Sequence, residues 1–188
     1  MSVLHLIRRR RSVYPKSYRL DQNIERAELE TLLEAARWAP THRMTEPWRF
    51  VVFHSAESRA RLGEFLADYY RSHTPPEAFS EEKYRKAGEN PGKAGAVLAI
   101  VLQRDPELRV PEFEEIAAVS MAVQNMWLLC ADMGLGAYWS TPQAALESDR
   151  FLELEAGQRC LGLFYIGRHD MPEMPGKRSS MDDKVRWL

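Results

Sequence analysis

The sequence has little of three features that would point to particular classes of protein. Its 188 residues include two cysteines, Cys130 and Cys160, both in apolar surroundings and without the paired spacing of a zinc or redox motif. No apolar run approaches the roughly 20 residues of a membrane span. Net charge is also nearly absent, with 26 basic against 27 acidic side chains. We therefore expect a protein with buried thiols in a reducing cytoplasm, with no membrane partner and no disulfide.

One local cluster of charge stands out against this balance, a run of four arginines at 8–11 followed by Ser12. The apolar stretch before it is too short for a secretory signal, in which the basic residues also come first. Nucleic-acid binding is disfavoured, because the overall charge is not positive and no aromatic residues alternate with the arginines. Guanidinium groups and a small hydroxyl this close together suit a phosphate group. On the residues alone, a phosphate site and a solvated or nucleic-acid-binding run both stay open.

Length and periodicity predict one domain over residues 1–188, since the chain is long enough to bury a sizeable core. Helical spacing of apolar residues predicts helices at 24–36, 58–70 and 113–133, and a brief one ending at Leu146. Runs rich in β-branched and aromatic residues predict strands at 48–54, 95–103, within 134–141, and at 160–167. Strands separated by helices indicate an α/β or α+β sandwich with the sheet covered by helices.

The segment 71–93 differs in composition from the rest of the chain. It is charged, rich in proline and glycine, and nearly free of aliphatic side chains. We expect it to form a mobile excursion or lid rather than core.

Two further motifs have limited meaning by themselves. The loop "APTHRMTEPW" places polar side chains between two prolines, where they can address the edge of a heterocycle. Its His42 is by default a surface histidine, and no His or Cys set has ligand spacing, so we expect no metal. The "GLG" at 134–136 follows a predicted helix and precedes a predicted strand. A dinucleotide-binding fingerprint has the opposite order, strand before helix, so we interpret this motif as a helix C-cap.

Four motifs in order resemble the nitroreductase family of FMN-dependent oxidoreductases, especially its short-chain members. They are "RRRRSVYP", "EAARWAPTHRMTEPWRF", "GLGAYWST", and "GLFYIGR" with "PGKRSSMDDKV". The resemblance covers nearly the whole chain. It implies an α+β sandwich with a central, mostly antiparallel sheet covered by helices, and a homodimer with two FMN molecules at the subunit interface.

The resemblance also implies which residues bind the cofactor. Arg10 and Ser12 would hold the FMN phosphate, with Arg178 and its helper Lys177 closing the site from the far end of the chain. Arg11 would reach the ribityl chain or the pyrimidine edge, while the arginines at 8 and 9 are interpreted as solvated. The ring would lie between residues of two subunits. From the partner come Trp38, Thr41 and His42, and from the ring-facing strand come Trp139, Ser140 and Thr141.

This sequence departs from the family pattern at two places. Tyr14 stands where many members have a basic residue, so the cation near flavin N1 would be Arg11, Lys16 or Arg43 instead. In the loop pattern "PSxxNxQPW", Met44 replaces the asparagine and Glu46 the glutamine. One amide contact to the ring is therefore lost.

The function that the resemblance implies is hydride transfer from NAD(P)H through FMN N5 to a small acceptor, such as a nitroaromatic or a quinone, in ping-pong order. No catalytic side chain is needed for the first step, because the cofactor carries the chemistry. A second hypothesis keeps the fold but assigns a dedicated substrate, as in dehalogenation, heterocycle dehydrogenation or flavin degradation. A third, disfavoured by the charge balance, is a basic-armed nucleic-acid-binding module.

Overall fold

The computed structural model describes residues 2–188, which are built around an antiparallel sheet. Its strands are β1 (Trp48–Phe53), β2 (Ala96–Gln103), β3 (Leu135–Ser140) and β4 (Gln158–Arg168). They lie side by side in the order β1-β2-β4-β3, and each neighbouring pair is antiparallel. β3 is therefore an edge strand, whose outer side has backbone groups that no long strand pairs with.

Helices cover both faces of this sheet. They are α1 (Val3–Arg9), α2 (Arg26–Arg37), α3 (Ala56–His73), α4 (Glu81–Lys93), α5 (Glu112–Asp132) and α6 (Gln143–Leu146). Successive residues of β2 point to opposite faces, because side chains alternate along a strand. Leu98 and Ile100 pack with α2 and α5 in one core, and Val97 and Ala99 pack with α3 and α6 in the other. The strand is buried almost throughout, which explains why its sequence lacks polar alternation.

The structure confirms the predicted fold class, an α+β sandwich whose antiparallel sheet is covered by helices. Every predicted helix and strand is present, with ends that differ by one to three residues in most cases. Such shifts are expected, because the terminal turns of a helix have no periodic burial to mark them.

The segment 71–93 differs from its prediction, because half of it is the helix α4. Pro91 is buried, and Ala87 packs against the core of α3 and α6. The contact between α3 and α4 depends on glycine: a β-carbon at Gly63 would lie 2.2 Å from the carbonyl oxygen of Gly88. The backbones of α3 and α4 thus pack directly against each other without aliphatic side chains between them. The lack of such side chains in the sequence had led to the prediction of a mobile excursion. Movement of the segment stays a prediction.

Candidate functional site

The chain leaves α1 at the arginine run and joins the outer edge of β3. Ser12 forms a parallel bridge with Ala137, and the backbone N–H of Val13 donates to the Ala137 carbonyl at 3.0 Å. This short pairing fixes Arg10, Arg11 and Ser12 beside the start of the edge strand. The exposed Ser12 also lines a cavity of about 480 Å³ under the same stretch.

Arg10 lies against an aromatic side chain of α5. Its guanidinium carbon is 4.6 Å from the ring centre of Trp127, and the indole N–H of Trp127 donates to the Ala137 carbonyl at 3.1 Å. The Nη1 atom of Arg10 is buried and has no hydrogen-bond partner. Burial, together with the charges of Arg11 and Arg178, lowers the pKa of the Arg10 guanidinium. A buried donor without an acceptor is costly, so this atom marks a place where an acceptor belongs.

The C-terminal segment brings a further arginine to the same place. Arg11 donates from Nε to the Met174 carbonyl at 3.1 Å and from Nη1 to the Arg10 carbonyl at 2.6 Å. A β-carbon on Gly176 would lie 2.2 Å from the Arg11 guanidinium, so the segment crosses it closely. Arg178 then lines a cavity of about 810 Å³ together with Arg10 and Arg11. Lys177 is exposed and lies outside the lining of that cavity.

The interpretation of Arg8 and Arg9 as solvated is wrong for Arg9. Its guanidinium donates to the Ala131 carbonyl at 2.8 Å and pairs with Glu173 at 3.1 Å. Arg9 therefore ties the C-terminal segment to α1 and α5. Arg8 is exposed, as expected, but it lines the arginine cavity. The sequence alone does not reveal which arginine faces a distant segment.

These contacts fit a bound phosphate. Five guanidinium groups with the same charge line one cavity, and that of Arg10 has an unsatisfied buried donor. Like charges at this range repel each other, and a dianion between them reverses the sign of that energy. Arginine forks are also the geometry that binds phosphate oxygens in pairs.

The three residues predicted to face a ring follow along the same edge strand. Trp139, Ser140 and Thr141 lie two to four residues beyond the bridge at Ala137, which is about 7–13 Å along a strand. The indole N–H of Trp139 donates to the Leu161 carbonyl at 3.2 Å. The structure thus aligns these residues and the arginine cluster on one edge.

A glycine that the sequence analysis missed shapes this strand end. Gly162 of β4 has a φ of +133° beside a bulge in the pairing of β2 with β4. A β-carbon there would lie 2.5 Å from the Ser140 carbonyl oxygen and 2.5 Å from the Trp139 indole nitrogen. The signal that could have found it, a glycine in a buried strand, is weak without a partner strand to compare.

Sequence analysis also missed two polar side chains of α4. Lys86 and Asn90 line a cavity of about 190 Å³ together with Ser140. Lys86 is paired with Glu82 one turn earlier on the helix. These residues lie in the segment that was expected to be a lid, so no motif connected them with β3.

The third group of predicted residues forms a separate cluster. Trp38 is 72% exposed, and its indole N–H donates to Glu34 at 2.8 Å. His42 pairs through Nδ1 with Glu114 of α5 at 2.6 Å. The Thr41 hydroxyl shares a 3.0 Å hydrogen bond with Thr45 and accepts the backbone N–H of Glu46 at 3.2 Å. These hydrogen bonds brace the loop.

Within one chain, this loop lies far from the arginine cluster. The loop contacts α5 at Glu114, whereas Arg10 contacts α5 at Trp127. Thirteen residues of helix separate the two contacts, which is about 20 Å. The structure therefore places the arginines and the β3 residues along one strand edge, and Trp38, Thr41 and His42 at the other end of α5.

The Tyr14 side chain packs against the edge strand β3. Tyr14 contacts Tyr138 with ring centres 4.6 Å apart. Lys16 is exposed in a 3-10 turn. Of the predicted alternatives, Arg43 lies in the distant loop, whereas Arg11 and Lys16 lie within three residues of Tyr14. Lys86 joins these two as a candidate cation.

Residues 2–188 contain neither a membrane-spanning helix nor a cluster of metal ligands. No helix in that range combines the length and apolar composition needed to cross a membrane. No group of three or more His, Cys, Asp or Glu side chains in the same range is placed to hold a metal ion.

Comparison with proteins of known name gives relatives of similar length. The chain is 28% identical over 181 residues to YfhC of Bacillus subtilis, named as a candidate NAD(P)H nitroreductase, and the match covers 95% of this chain and 90% of YfhC. It is 28% identical over 145 residues to YdjA of Escherichia coli K12, named in the same way, covering 74% of this chain and 75% of YdjA.

Solved structures of the same fold include one with a bound flavin. A nitroreductase-like family protein from Bacillus cereus superposes with a TM-score of 0.81 at 26% identity, covering 100% of this chain and 96% of that one. A candidate nitroreductase from Desulfovibrio desulfuricans, solved in complex with FMN, gives a TM-score of 0.76 at 25% identity, covering 100% and 97%. The Nitroreductase family model matches residues 7–168, which is most of the sequence. The chain therefore belongs to the Nitroreductase family.

Proposed function

We propose that the protein is a homodimeric flavoenzyme that uses FMN to carry electrons from NAD(P)H to a small acceptor, such as a nitroaromatic or a quinone. Membership of the Nitroreductase family makes it an FMN-dependent oxidoreductase. The observation in this chain that carries the proposal is the buried, unpartnered Nη1 of Arg10 in a cavity that it shares with Arg11 and Arg178. That arrangement suits the phosphate of a bound nucleotide better than any role in the core.

Bound FMN would supply the hydride chemistry, at its N5, between NAD(P)H and the acceptor in ping-pong order. Arg10, Arg11 and Arg178 would hold its phosphate. The outer edge of β3 at 139–140, with Thr141 just beyond it, would present backbone groups to the ring, because within residues 2–188 only Ser12 and Val13 pair with that side of the strand. Lys86, which is paired with Glu82, would provide a cation beside this strand end and would favour negative charge on a ring bound there.

The homodimer is supported by the distance between the two groups of site residues. If Trp38, Thr41 and His42 contact the ring, they cannot do so in the chain that holds its phosphate, because about 20 Å of α5 lies between. A second copy can supply them. Each site would then need two chains.

A partly exposed, largely apolar stripe on α5, interrupted by Gln124, supports the same assembly. Phe113, Ala117, Met121 and Leu128 lie on one side of the helix, and Phe113 and Met121 are 69% and 39% exposed. This stripe runs between the loop end and the arginine end of α5. An antiparallel, two-fold packing of α5 on its copy would cover the stripe and set each loop beside the partner's arginine cluster. One symmetric contact would complete two sites.

The experiment that tests the function is a visible absorption spectrum of the FMN-loaded protein before and after anaerobic addition of NADPH or NADH. We expect flavin bands that bleach with at least one donor and return when a quinone is added. Protein that takes up no FMN contradicts the cofactor assignment. Bound flavin that neither donor reduces contradicts the proposed reaction and leaves the cofactor assignment standing.

A dedicated substrate is the second candidate, and the loop backbone favours it. Arg43, Met44 and Glu46 all have left-handed backbone, with φ of 51°, 53° and 41°. Side chains other than glycine adopt this conformation at a cost, and such strain concentrates at sites that bind ligands. Met44 is 74% exposed, and it stands where the family pattern has an asparagine. Screening the reduced enzyme against halogenated and heterocyclic substrates separates the two candidate functions. A general reductase should turn over none of these substrates faster than quinones, whereas a dedicated enzyme should prefer one of them.

A further inference from the structure

The cavity beside the arginine run holds more positive charge than one phosphate requires. Its lining includes Arg8, Arg9, Arg10, Arg11 and Arg178, together with His5 and one carboxylate, Glu173. Glu173 is paired with Arg9. Four guanidinium groups therefore face the cavity without a carboxylate partner in the described residues.

One FMN phosphate does not balance this charge. A phosphate monoester carries about −1.5 to −2 at neutral pH. Arg10, Arg11 and Arg178 already exceed that charge, which leaves Arg8 in surplus. The C-terminal end of α1 accounts for some of the attraction, since a helix end has partial negative charge, but this effect is small for an exposed side chain.

The cavity also has room for a second group. Its volume of about 810 Å³ is close to the upper end of the range for whole small-molecule sites. A phosphate alone occupies only a small part of such a volume. Arg8 lies at the α1 side of the cavity, two residues before Arg10, and its side chain makes no hydrogen bond or ion pair within residues 2–188.

We propose that this cavity takes a second phosphate, the 2′-phosphate of NADPH, and that Arg8 makes the enzyme select NADPH over NADH. The inference rests on the proposed function, because that function brings a second phosphorylated molecule to the site in every cycle. NADPH and NADH differ in this one phosphate. A guanidinium without a protein partner is the group that separates them, because it gains a charge-assisted hydrogen bond with one donor alone.

The test compares the two donors with FMN-loaded enzyme and a quinone acceptor, in the natural protein, in Arg8→Gln and in Arg61→Gln. Arg61 is an exposed arginine of α3, remote in sequence from the cavity, and serves as the matched control. We expect kcat/KM to favour NADPH by about tenfold or more, and Arg8→Gln to lower the NADPH value by about tenfold. The NADH value and the FMN affinity should change less than about twofold, and Arg61→Gln should change nothing.

Direct binding of 2′,5′-ADP, measured by calorimetry, tests the same residue without turnover. The natural protein should bind it more tightly than 5′-AMP, and Arg8→Gln should remove the difference. Equal use of both donors by the natural protein, or an equal loss for both in Arg8→Gln, overturns the inference. Tighter binding of FAD than FMN that disappears in Arg8→Gln overturns it too, because the second phosphate would then belong to the cofactor. If neither donor reduces the flavin, the proposed function fails, while the calorimetry still reports on Arg8.

Discussion

At the scale of the residue, Arg10 is held in a position that suits a ligand better than the folded chain. It gains a contact with Trp127, but it has an unpartnered Nη1 and two like charges nearby. Replacing it should therefore affect the cofactor much more than the fold. We predict that Arg10→Gln lowers FMN affinity at least about tenfold, since it removes a charged hydrogen-bond donor. The free energy of unfolding of the FMN-free protein should change by less than about 1 kcal/mol.

Fluorescence titration with FMN and denaturation of the FMN-free protein measure the two quantities, with Arg61→Gln as the control. An unchanged FMN affinity would contradict the proposal that Arg10 binds the FMN phosphate. Several kcal/mol of lost stability would make Arg10 a structural residue instead.

The residue scale also shows how far sequence reasoning reached. The arginine run and the edge-strand residues stood out, because clustered charge and strand periodicity are local in sequence. The contact of Arg10 with Trp127 and the position of Lys86 beside Ser140 join segments far apart in the chain. No spacing rule predicts such pairs without the fold.

At the scale of the element, the pairing of α3 with α4 depends on two glycines in direct backbone contact. A methyl group at Gly63 would collide with the Gly88 carbonyl at 2.2 Å, whereas one at Gly92 would meet no atom within 4 Å. We predict that Gly63→Ala destabilises the protein by about 1–3 kcal/mol, because the two backbones must separate. Gly92→Ala is the control in the same helix pair and should be neutral or stabilising by up to about 1 kcal/mol. Urea denaturation gives both values, and equal effects would show that helix propensity, not contact, governs this pair.

This helix pair explains why sequence reasoning missed α4. The hydrophobic signal of a helix comes from aliphatic residues on one face, and α4 buries proline, alanine and a glycine contact instead. β2, in contrast, was predicted correctly from the sequence. Its seven consecutive buried residues form a continuous apolar run.

At the scale of the whole molecule, the central claim is that one site is built from two chains. The antiparallel sheet and its helical layers could be predicted from periodicity and resemblance. The separation of the two residue groups along α5 could not, because it depends on where each segment contacts that helix. Two variants that each bind FMN weakly at both sites should therefore restore one site when they form a mixed dimer.

The measurement is FMN content after two variants are unfolded, mixed and refolded together. One variant is Arg10→Gln, and the other is Thr41→Glu, which removes the hydroxyl that braces the loop and adds a carboxylate there. Each alone spoils both sites of its homodimer. In a mixed dimer, one site has both defects and the other has none, so we predict about one tightly bound FMN per mixed dimer and recovery of donor oxidation. A mixture that binds no more FMN than its separate components would contradict the shared site.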